Sequence, residues 1–342
     1  MAKIMIKLTK QYAPFWKHGE SARSMAADRL VACAVLLVLP VVRYGFRPLL
    51  MTLAVMLTAV LTEMLMCLFL RREVRVADLD SLVIGAMIAL LMPVNVAYYV
   101  PAFAAVFAVA VAKMPFGGTG HAPFEPAAAG VAFSVLCFPS LVFAYCSPAA
   151  GRLDLNIFVG AEAAMSQSPA AMLRAGARPV LLLSEMFTGN VAAPVGAATV
   201  VVVAAAALFL YFRHAARWEI TVCFMGAAAL VAALFPRIST GRADSVIIEL
   251  SAGSLAFCAA FLATNTANAP KLPLARCFYG FLGGLVTMLF RYFGAYEQGA
   301  VFAILLVNTT AAPLDRLAWK LTGEERKNDD GEKRSNLANK PA

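Results

Sequence analysis

Two polar segments rich in glycine, proline and amide side chains interrupt the apolar runs of this chain. The first, KMPFGGTGHAPFEPAAAG at residues 113–130, places Gly117, Gly118 and Gly120 together and carries Glu125 at the start of an apolar run. Glycine allows a positive φ and a close approach of the backbone to a ligand. A helix starting directly after the glutamate would aim free N–H groups at an anion or a carbonyl. The sequence supports two interpretations equally, a ligand cradle and a tight cytoplasmic loop with a capped helix.

The second polar segment is FLATNTANAPKLPL at residues 261–274. It holds Thr264, Asn265, Thr266 and Asn268 between an apolar run and two prolines. Short hydroxyl and amide side chains could bind a ligand here, or they could cap the end of the preceding helix.

Glu63, in the string LTEML, is the most deeply placed ionisable residue of the apolar runs. An acid inside a membrane is a candidate for a proton or sodium path. Alternatively it is protonated, or it lies nearer the end of its span and pairs with Arg71 or Arg72. Asp80 opens the next apolar run and is interpreted as a helix cap.

A hydroxyl pair, Ser166 and Ser168, precedes Pro169 in a turn-type sequence, where such hydroxyls usually serve the turn itself. The seven cysteines contain no C-x-x-C pair, and the three histidines lie outside the apolar runs. We therefore expect neither an iron–sulfur cluster nor haem, and no metal ligand set.

The composition explains which elements must position these residues. The chain is 61% hydrophobic and only 14% charged in 342 residues, with a mean hydropathy of +0.75. Soluble domains carry about 25% charged residues. This excludes an ordinary soluble enzyme, a disordered chain and a secreted disulfide scaffold, and it indicates an all-α polytopic membrane protein.

Ten apolar runs are candidate transmembrane helices, five on each side of a long central connection. They lie near 26–43, 48–70, 79–94, 97–114, 126–146, 193–213, 217–236, 246–264, 275–293 and 298–313. Short runs interrupted by proline and glycine at matching places indicate broken or re-entrant helices around a central site. The predicted organisation is a cytoplasmic segment 1–25, a first five-helix unit 26–146, an outer loop and re-entrant segment 147–192, a second unit 193–321, and a disordered cytoplasmic tail 322–342.

The basic residues predict the orientation. With the N-terminus inside, 21 of the 29 Lys and Arg residues fall on the cytoplasmic side and the other 8 on the outer side. This distribution follows the positive-inside rule and favours an N-in, C-in topology. The net charge of +9 therefore indicates orientation in a bilayer rather than binding to nucleic acid.

Together these segments resemble one family of membrane proteins, the D-type subunit of the Rnf electron-transport complex and its relative, the B-type subunit of the sodium-translocating NADH:quinone reductase. The resemblance runs through residues 12–318. Its strings are DLDSLVIGAMIALLMP from Asp78, FGGTGHAPFEPAAAG from Phe116, FLATNTANAP from Phe261, RYFGAYEQGAVFAILLVN from Arg291 and PLDR from Pro313.

The resemblance implies a non-autonomous component of a complex in the bacterial inner membrane that couples electron flow to Na+ or H+ movement. It implies two five-helix inverted repeats, similar to urea transporters, and FMN joined through its phosphate to a hydroxyl on the outer face. The expected partners are the other membrane and flavin-bearing subunits and the lipid bilayer, without nucleic acid.

The motif for flavin attachment departs from the family pattern. Its best match is EAAMSQSP, Glu162 to Pro169, in which Ser168 takes the acceptor position and Met165 replaces a hydroxyl residue. The family's aspartate in A-T-D-P is Asn265 here. FMN is expected at Ser168, or non-covalently near Gly117–Gly120 and Thr264–Asn268, and both sites together would hold two flavins. The alternative is a flavin-free scaffold, or a transporter of a small solute or vitamin, on the same fold.

Overall fold

The computed structural model describes residues 22–71, 79–156, 160, 164–177, 183–237, 242–294 and 296–322, in which helices are joined by turns and irregular loops. Within these residues the only β-type pairing is a single bridge between Cys146 and Met165. The predicted segment 1–25 falls outside the described residues except for its last four, and the predicted tail falls outside except for Thr322.

The first half of the chain contains two long helices and then shorter ones. In order, these are α1 (Ala22–Tyr44), α2 (Arg47–Phe69), α3 (Asp80–Leu90), α4 (Tyr99–Phe107) with a π-helical extension (Ala108–Lys113), α5 (Pro126–Cys137) and α6 (Pro139–Val142). The central connection adds a 3-10 turn (Pro148–Ala150), α7 (Pro169–Arg174) and α8 (Leu183–Thr188).

The second half repeats the use of a π-helical stretch before a polar loop. Its elements are α9 (Val200–Phe212), α10 (Trp218–Leu234), α11 (Arg242–Ser251), α12 (Leu255–Phe257) with a π-helical extension (Cys258–Leu262), α13 (Pro273–Phe293), α14 (Gly299–Asn308) and α15 (Ala311–Thr322).

By length and composition, three helices of the described chain can cross a membrane alone: α1, α2 and α13. Two bent pairs raise the number to as many as five. These pairs are Ala243–Ser251 with Leu255–Leu262, bent by 69°, and Gly299–Asn308 with Ala311–Leu321, bent by 57°. Five further apolar helices are shorter. The structure thus agrees with a polytopic membrane protein.

Several predicted spans are interrupted. The predicted run 79–94 contains only the 11 residues of α3, and the run 126–146 is divided between α5 and α6. The run 246–264 is bent at residues 252–254. Prolines and glycines cause such breaks because they remove backbone donors or favour positive φ, as Gly253 does at 66°.

The side of α2 that faces away from the protein is as apolar as the side that packs. Met51, Val55 and Ala59 are fully buried, whereas Leu57 and Leu61 are more than half exposed. A helix that is apolar all round requires an apolar surrounding on its free face. The exposed leucines therefore face lipid or another protein of a membrane assembly.

Candidate functional site

A cavity of about 200 Å³ lies where the glycine-rich loop after α4 meets the polar segment after the second π-helical stretch. Helix α1 and the start of α3 complete its wall. Its polar lining residues are Arg23, Arg29, Asp80, Thr119, Asn265 and Thr266. The structure therefore brings the two polar segments of the sequence together in one site, although more than 130 residues separate them.

The glycine-rich loop adopts the backbone conformation that its sequence predicts. Gly117, Gly118 and Gly120 have φ values of 119°, 92° and 82°, all in the region that other residues rarely enter. A Cβ on Gly118 or Gly120 would meet no atom within 4 Å, so the backbone angle rather than space requires glycine there. Of the three, Gly120 lines the cavity.

The second polar segment divides its side chains between the cavity and the helix end. Asn265 and Thr266 line the cavity. Thr264 is buried, and its hydroxyl donates to the carbonyl of Ala260 at 2.5 Å. Thr264 therefore serves the helix end, as one of the two sequence interpretations expects, whereas its two neighbours are placed to meet a ligand.

A buried hydrogen-bonded chain connects the two halves beside the cavity. Arg29 donates to the amide oxygen of Asn265 at 2.8 Å. The amide nitrogen of Asn265 donates to the carboxylate of Glu125, which also accepts from Asn268 at 3.2 Å. Glu125 is 2% exposed and stands immediately before α5. Arg29 additionally reaches the carbonyl of Ala215 at 3.4 Å.

This hydrogen-bonded network of side chains combines opposite charges with amide groups. It therefore offers both hydrogen-bond donors and acceptors to a polar ligand. Four buried side-chain amide atoms among the described residues have no hydrogen-bond partner, namely the oxygens of Asn95, Asn268 and Gln298 and the nitrogen of Asn308, and of these Asn268 belongs to the hydrogen-bonded network beside the cavity. The oxygen of the Asn308 amide accepts from Tyr279. Unpaired buried amide atoms are costly unless a ligand or water satisfies them.

A second charged cluster lies in the first half, around the end of the π-helical stretch. Lys113 is 1% exposed, and its ammonium group lies 2.8 Å from Glu63 and 3.1 Å from Asp80. It also donates to the hydroxyl of Ser81 at 2.8 Å. Among the described residues, the cation that meets Glu63 is thus Lys113 and not Arg71, while Arg72 lies outside the described residues. Asp80 pairs with this lysine instead of capping α3.

Ser168 lies within the central connection, directly before α7, and is 2% exposed. Its hydroxyl accepts from the backbone N–H of Ala171 at 3.0 Å, which makes it the cap of α7, and it donates to the carboxylate of Glu297. Burial raises the pKa of Glu297 above the usual glutamate value, against the opposing effects of Ser168 and Arg174. The hydroxyl therefore has both of its hydrogen-bonding roles filled.

The start of α14, in the second half, contacts the end of α3, in the first half. A similar contact joins the start of α5, in the first half, to the loop after the second π-helical stretch. Gln298 stands before α14 and donates to the carbonyl of Leu91 at 3.2 Å and to the hydroxyl of Tyr145 at 3.4 Å. The backbone N–H of Gly196 donates to the carbonyl of Leu90 at 2.7 Å. The broken end of α3 is thus satisfied by residues from later in the chain.

Arg47 holds the irregular backbone that follows α3. It is fully buried and donates to the carbonyls of Val94 at 3.0 Å, Asp154 at 2.6 Å and Asn156 at 2.7 Å. Buried carbonyls of irregular backbone have no partner in a helix or sheet and need another donor. A planar guanidinium with five donors can satisfy several of them at once.

Sequence reasoning missed three buried cations of these clusters: Arg29, Arg47 and Lys113. They stand at the edges of apolar runs, where the sequence pattern indicates only the orientation of the chain in the bilayer. Their partners lie 236, 107 and 50 residues away in the chain, so spacing gives no signal for the contacts. The one available signal is charge itself, because a buried cation needs an acid or several carbonyls.

Comparison with known proteins places the chain in one family. The model of the NQR2, RnfD, RnfE family matches residues 9–321. The chain is 24% identical over 317 residues to the D-type subunit of the Na(+)-translocating ferredoxin:NAD(+) oxidoreductase complex of Acetobacterium woodii, and the match covers 91% of this chain and 93% of the relative.

Two further relatives are similar over most of their length, and both are D-type subunits of an ion-translocating oxidoreductase complex. That of Klebsiella pneumoniae is 30% identical over 302 residues, with 80% of this chain and 86% of the relative covered. That of Yersinia enterocolitica is 26% identical over 332 residues, with 89% and 94% covered. The family model extends through both halves of the structure and includes both polar segments. The chain therefore belongs to the NQR2, RnfD, RnfE family.

Proposed function

We propose that this chain is the D-type subunit of an Rnf complex, a membrane assembly that passes electrons between ferredoxin and NAD and moves Na+ or H+. Two findings support this proposal: the relatives are named as this subunit, and the matches cover most of this chain and most of each relative. The chain acts within an assembly, so the remaining membrane and flavin-bearing subunits are its proposed partners. The proposed location is the bacterial inner membrane, with both termini inside, on the basis of the basic residues.

The architecture that we propose is a pair of inverted repeats with ten membrane-inserted segments. Two pairs of contacts support it. Glu125 before α5 meets Asn265 after the second π-helical stretch, and Gln298 before α14 meets Leu91 after α3. Each half thus places the start of one of its helices against the end of a broken helix from the other half, as expected for interlocked repeats.

We propose that the cavity holds a non-covalent flavin ring. Its volume, about 200 Å³, lies below the range typical of pockets that enclose a whole drug-sized ligand, so it suits a ring system rather than a complete nucleotide. Arg29, Asn265 and Thr266 would hold the polar edge of the ring, and Gly120 would give the backbone close access. A bound flavin supplies the redox chemistry, while the protein orients it and adjusts its environment.

Covalent attachment at Ser168 is the less favoured site for FMN in this chain. The hydroxyl is buried, caps α7 and is engaged by Glu297. Attachment would require the loss of the hydrogen bond to Glu297 and opening of the surrounding loop. The engaged hydroxyl of Ser168 argues only against covalent flavin. The alternative function, a flavin-free scaffold or small-solute transporter, would require that the cavity binds no flavin either.

The first experiment measures flavin in the purified full-length protein, co-expressed with a flavin transferase. Flavin that fluoresces in the denatured gel band and is lost in Ser168→Ala would establish covalent attachment. Flavin released on denaturation and lost in Ala267→Leu would establish the cavity site, because Ala267 lines the cavity and makes no side-chain hydrogen bond there.

Ala149→Leu is the matched control, since Ala149 is exposed in the outer connection and does not line the cavity. The control should retain wild-type flavin content. Absence of flavin from both band and supernatant of the wild-type chain would refute flavin binding and leave the scaffold or transporter as the function.

Glu63 remains our candidate for the ion path, now as a member of a charged cluster. Lys113 neutralises one of the two acids, Glu63 and Asp80, so the cluster keeps a net negative charge when both are ionised. Such a site suits a small cation that competes with the lysine for carboxylate oxygens. We expect Glu63→Gln to reduce ion-coupled activity of the assembled complex, and unchanged coupling would count against this role.

A further inference from the structure

Helices α10 and α13 pack closely because α13 carries glycines at the contact. A Cβ added to Gly280 would lie 2.5 Å from the carbonyl oxygen of Ile220 and 3.0 Å from the Cβ of Cys223. A Cβ on Gly284 would overlap the carbonyl of Phe224. The two backbones therefore approach each other over at least one helical turn, as small residues permit in membrane helix pairs.

The register of the two helices is fixed on both sides of Cys223. Toward the helix N-termini, Glu219 of α10 pairs with Arg276 of α13 at 3.6 Å. Toward the C-termini, Phe224 lies against Gly284. The helices thus run parallel, and residues near 223 of one are held opposite residues near 277–280 of the other.

Two thiols meet within this register. The contact of Cys223 with the position of Gly280 and the pairing of Glu219 with Arg276 bring Cys277, which lies between Arg276 and Gly280 on α13, next to Cys223, and both cysteines are partly exposed. Each is a free cysteine in the structure. Two thiols in contact on different helices can be joined by a disulfide if the sulfurs move closer by a change of rotamer.

We propose that Cys223 and Cys277 form a redox-active dithiol that a peroxide converts into a disulfide across α10 and α13. This modification site is independent of the electron-transfer function proposed above. It would tie together two helices that are otherwise held here by glycine packing and one ion pair.

The reaction balances with a hydroperoxide as the oxidant. The thiolate of one cysteine attacks the outer oxygen of the peroxide, which gives a sulfenic acid and releases water or an alcohol. The second thiolate then attacks the sulfenic sulfur, a disulfide forms, and water leaves. One peroxide is reduced by two electrons, and the two thiols supply both electrons.

The test counts free thiols in the purified full-length chain. The protein in detergent is treated with hydrogen peroxide, quenched, denatured and alkylated with a maleimide that carries a polymer chain, so that each free thiol retards the gel band. The untreated chain has seven cysteines to label. We expect the oxidised chain to lose two labels and to regain both after treatment with a dithiol reductant.

Matched variants assign the pair. Cys223→Ser and Cys277→Ser should each show no reductant-reversible loss of two labels, whereas Cys137→Ser, which removes an exposed cysteine elsewhere, should retain it. Mass spectrometry should find a cross-linked peptide pair lighter by two hydrogens. No loss of label, loss that the reductant does not reverse, or loss of two labels in Cys223→Ser would each overturn the proposal.

Discussion

Removing Lys113 should destabilise the protein strongly, because its ammonium group is the shared partner of two acids. In Lys113→Met the carboxylates of Glu63 and Asp80 lose the cation at 2.8 Å and 3.1 Å, and Ser81 loses a donor. Breaking a fully buried pair costs about 3–5 kcal/mol. The two acids are 18% and 27% exposed, so water compensates in part, and we expect about 2 kcal/mol.

The assay is equilibrium unfolding in mixed detergent micelles with increasing SDS, followed by circular dichroism. Glu63→Gln is the comparison, since it leaves Lys113 paired with Asp80 and keeps a neutral acceptor. We expect it to cost about 1 kcal/mol. In the double variant that combines Lys113→Met with Glu63→Gln, the glutamine removes one of the two acids that would otherwise lack a cation. The loss in the free energy of unfolding should therefore be smaller than the sum of the two single losses.

Two results would refute this reasoning. Stability of Lys113→Met equal to that of the unmodified chain would mean that water replaces the lysine at no cost. Strictly additive losses in the double variant would mean that Lys113 and Glu63 do not interact in the folded protein.

Three further predictions concern packing and charge elsewhere. Arg47→Lys should cost about 2 kcal/mol in the same unfolding assay, because an ammonium group has three donors and cannot span the carbonyls that the guanidinium reaches. Gly284→Ala should cost about 1–3 kcal/mol, because the added methyl overlaps the carbonyl of Phe224 and must push two helices apart. The raised pKa of Glu297 means that the folded state binds its proton more tightly than the unfolded state. The contribution of Glu297 to stability should therefore be fully present below the ordinary glutamate pKa of about 4.3 and be lost as pH rises through the raised value. Glu297→Gln keeps a partner for Ser168 and should remove this part of the pH dependence, which the difference between the unfolding profiles of the variant and the unmodified chain measures.

The sequence located the two loops of the candidate site but not the contacts between them. Glycine spacing in 117–120 predicted positive φ, because that requirement is local to each residue. The pairing of Asn265 with Glu125 depends on how two distant segments dock, which no local pattern encodes. Pattern reasoning also treated α4 and its extension as one regular span, whereas the last six residues are π-helical, since apolar composition is the same in both forms.

Proline marks both the start of α5, which the sequence predicted correctly, and the end of α3, which it placed too late. The start of α5 at Pro126 agrees with the sequence, since proline suits the first turn of a helix. The early end of α3 at Leu90 also has a local cause, because Pro93 disfavours a helical conformation at the residue before it and clashes with the carbonyl four residues earlier, yet the predicted run continued to residue 94. The helix ends where Gly196 and Gln298, from the second half, supply donors for the carbonyls that it leaves open.

The link from Arg29 to Asn265 has a consequence for biosynthesis. The ribosome completes α1 long before it reaches the amide that α1 needs, because 236 residues separate the two partners. Until then the guanidinium of Arg29 and the carboxylate of Glu125 lack the residue that joins them. The first half should therefore insert as a loosely closed intermediate, and the two halves expressed as separate chains should each be short-lived alone and be stabilised by co-expression.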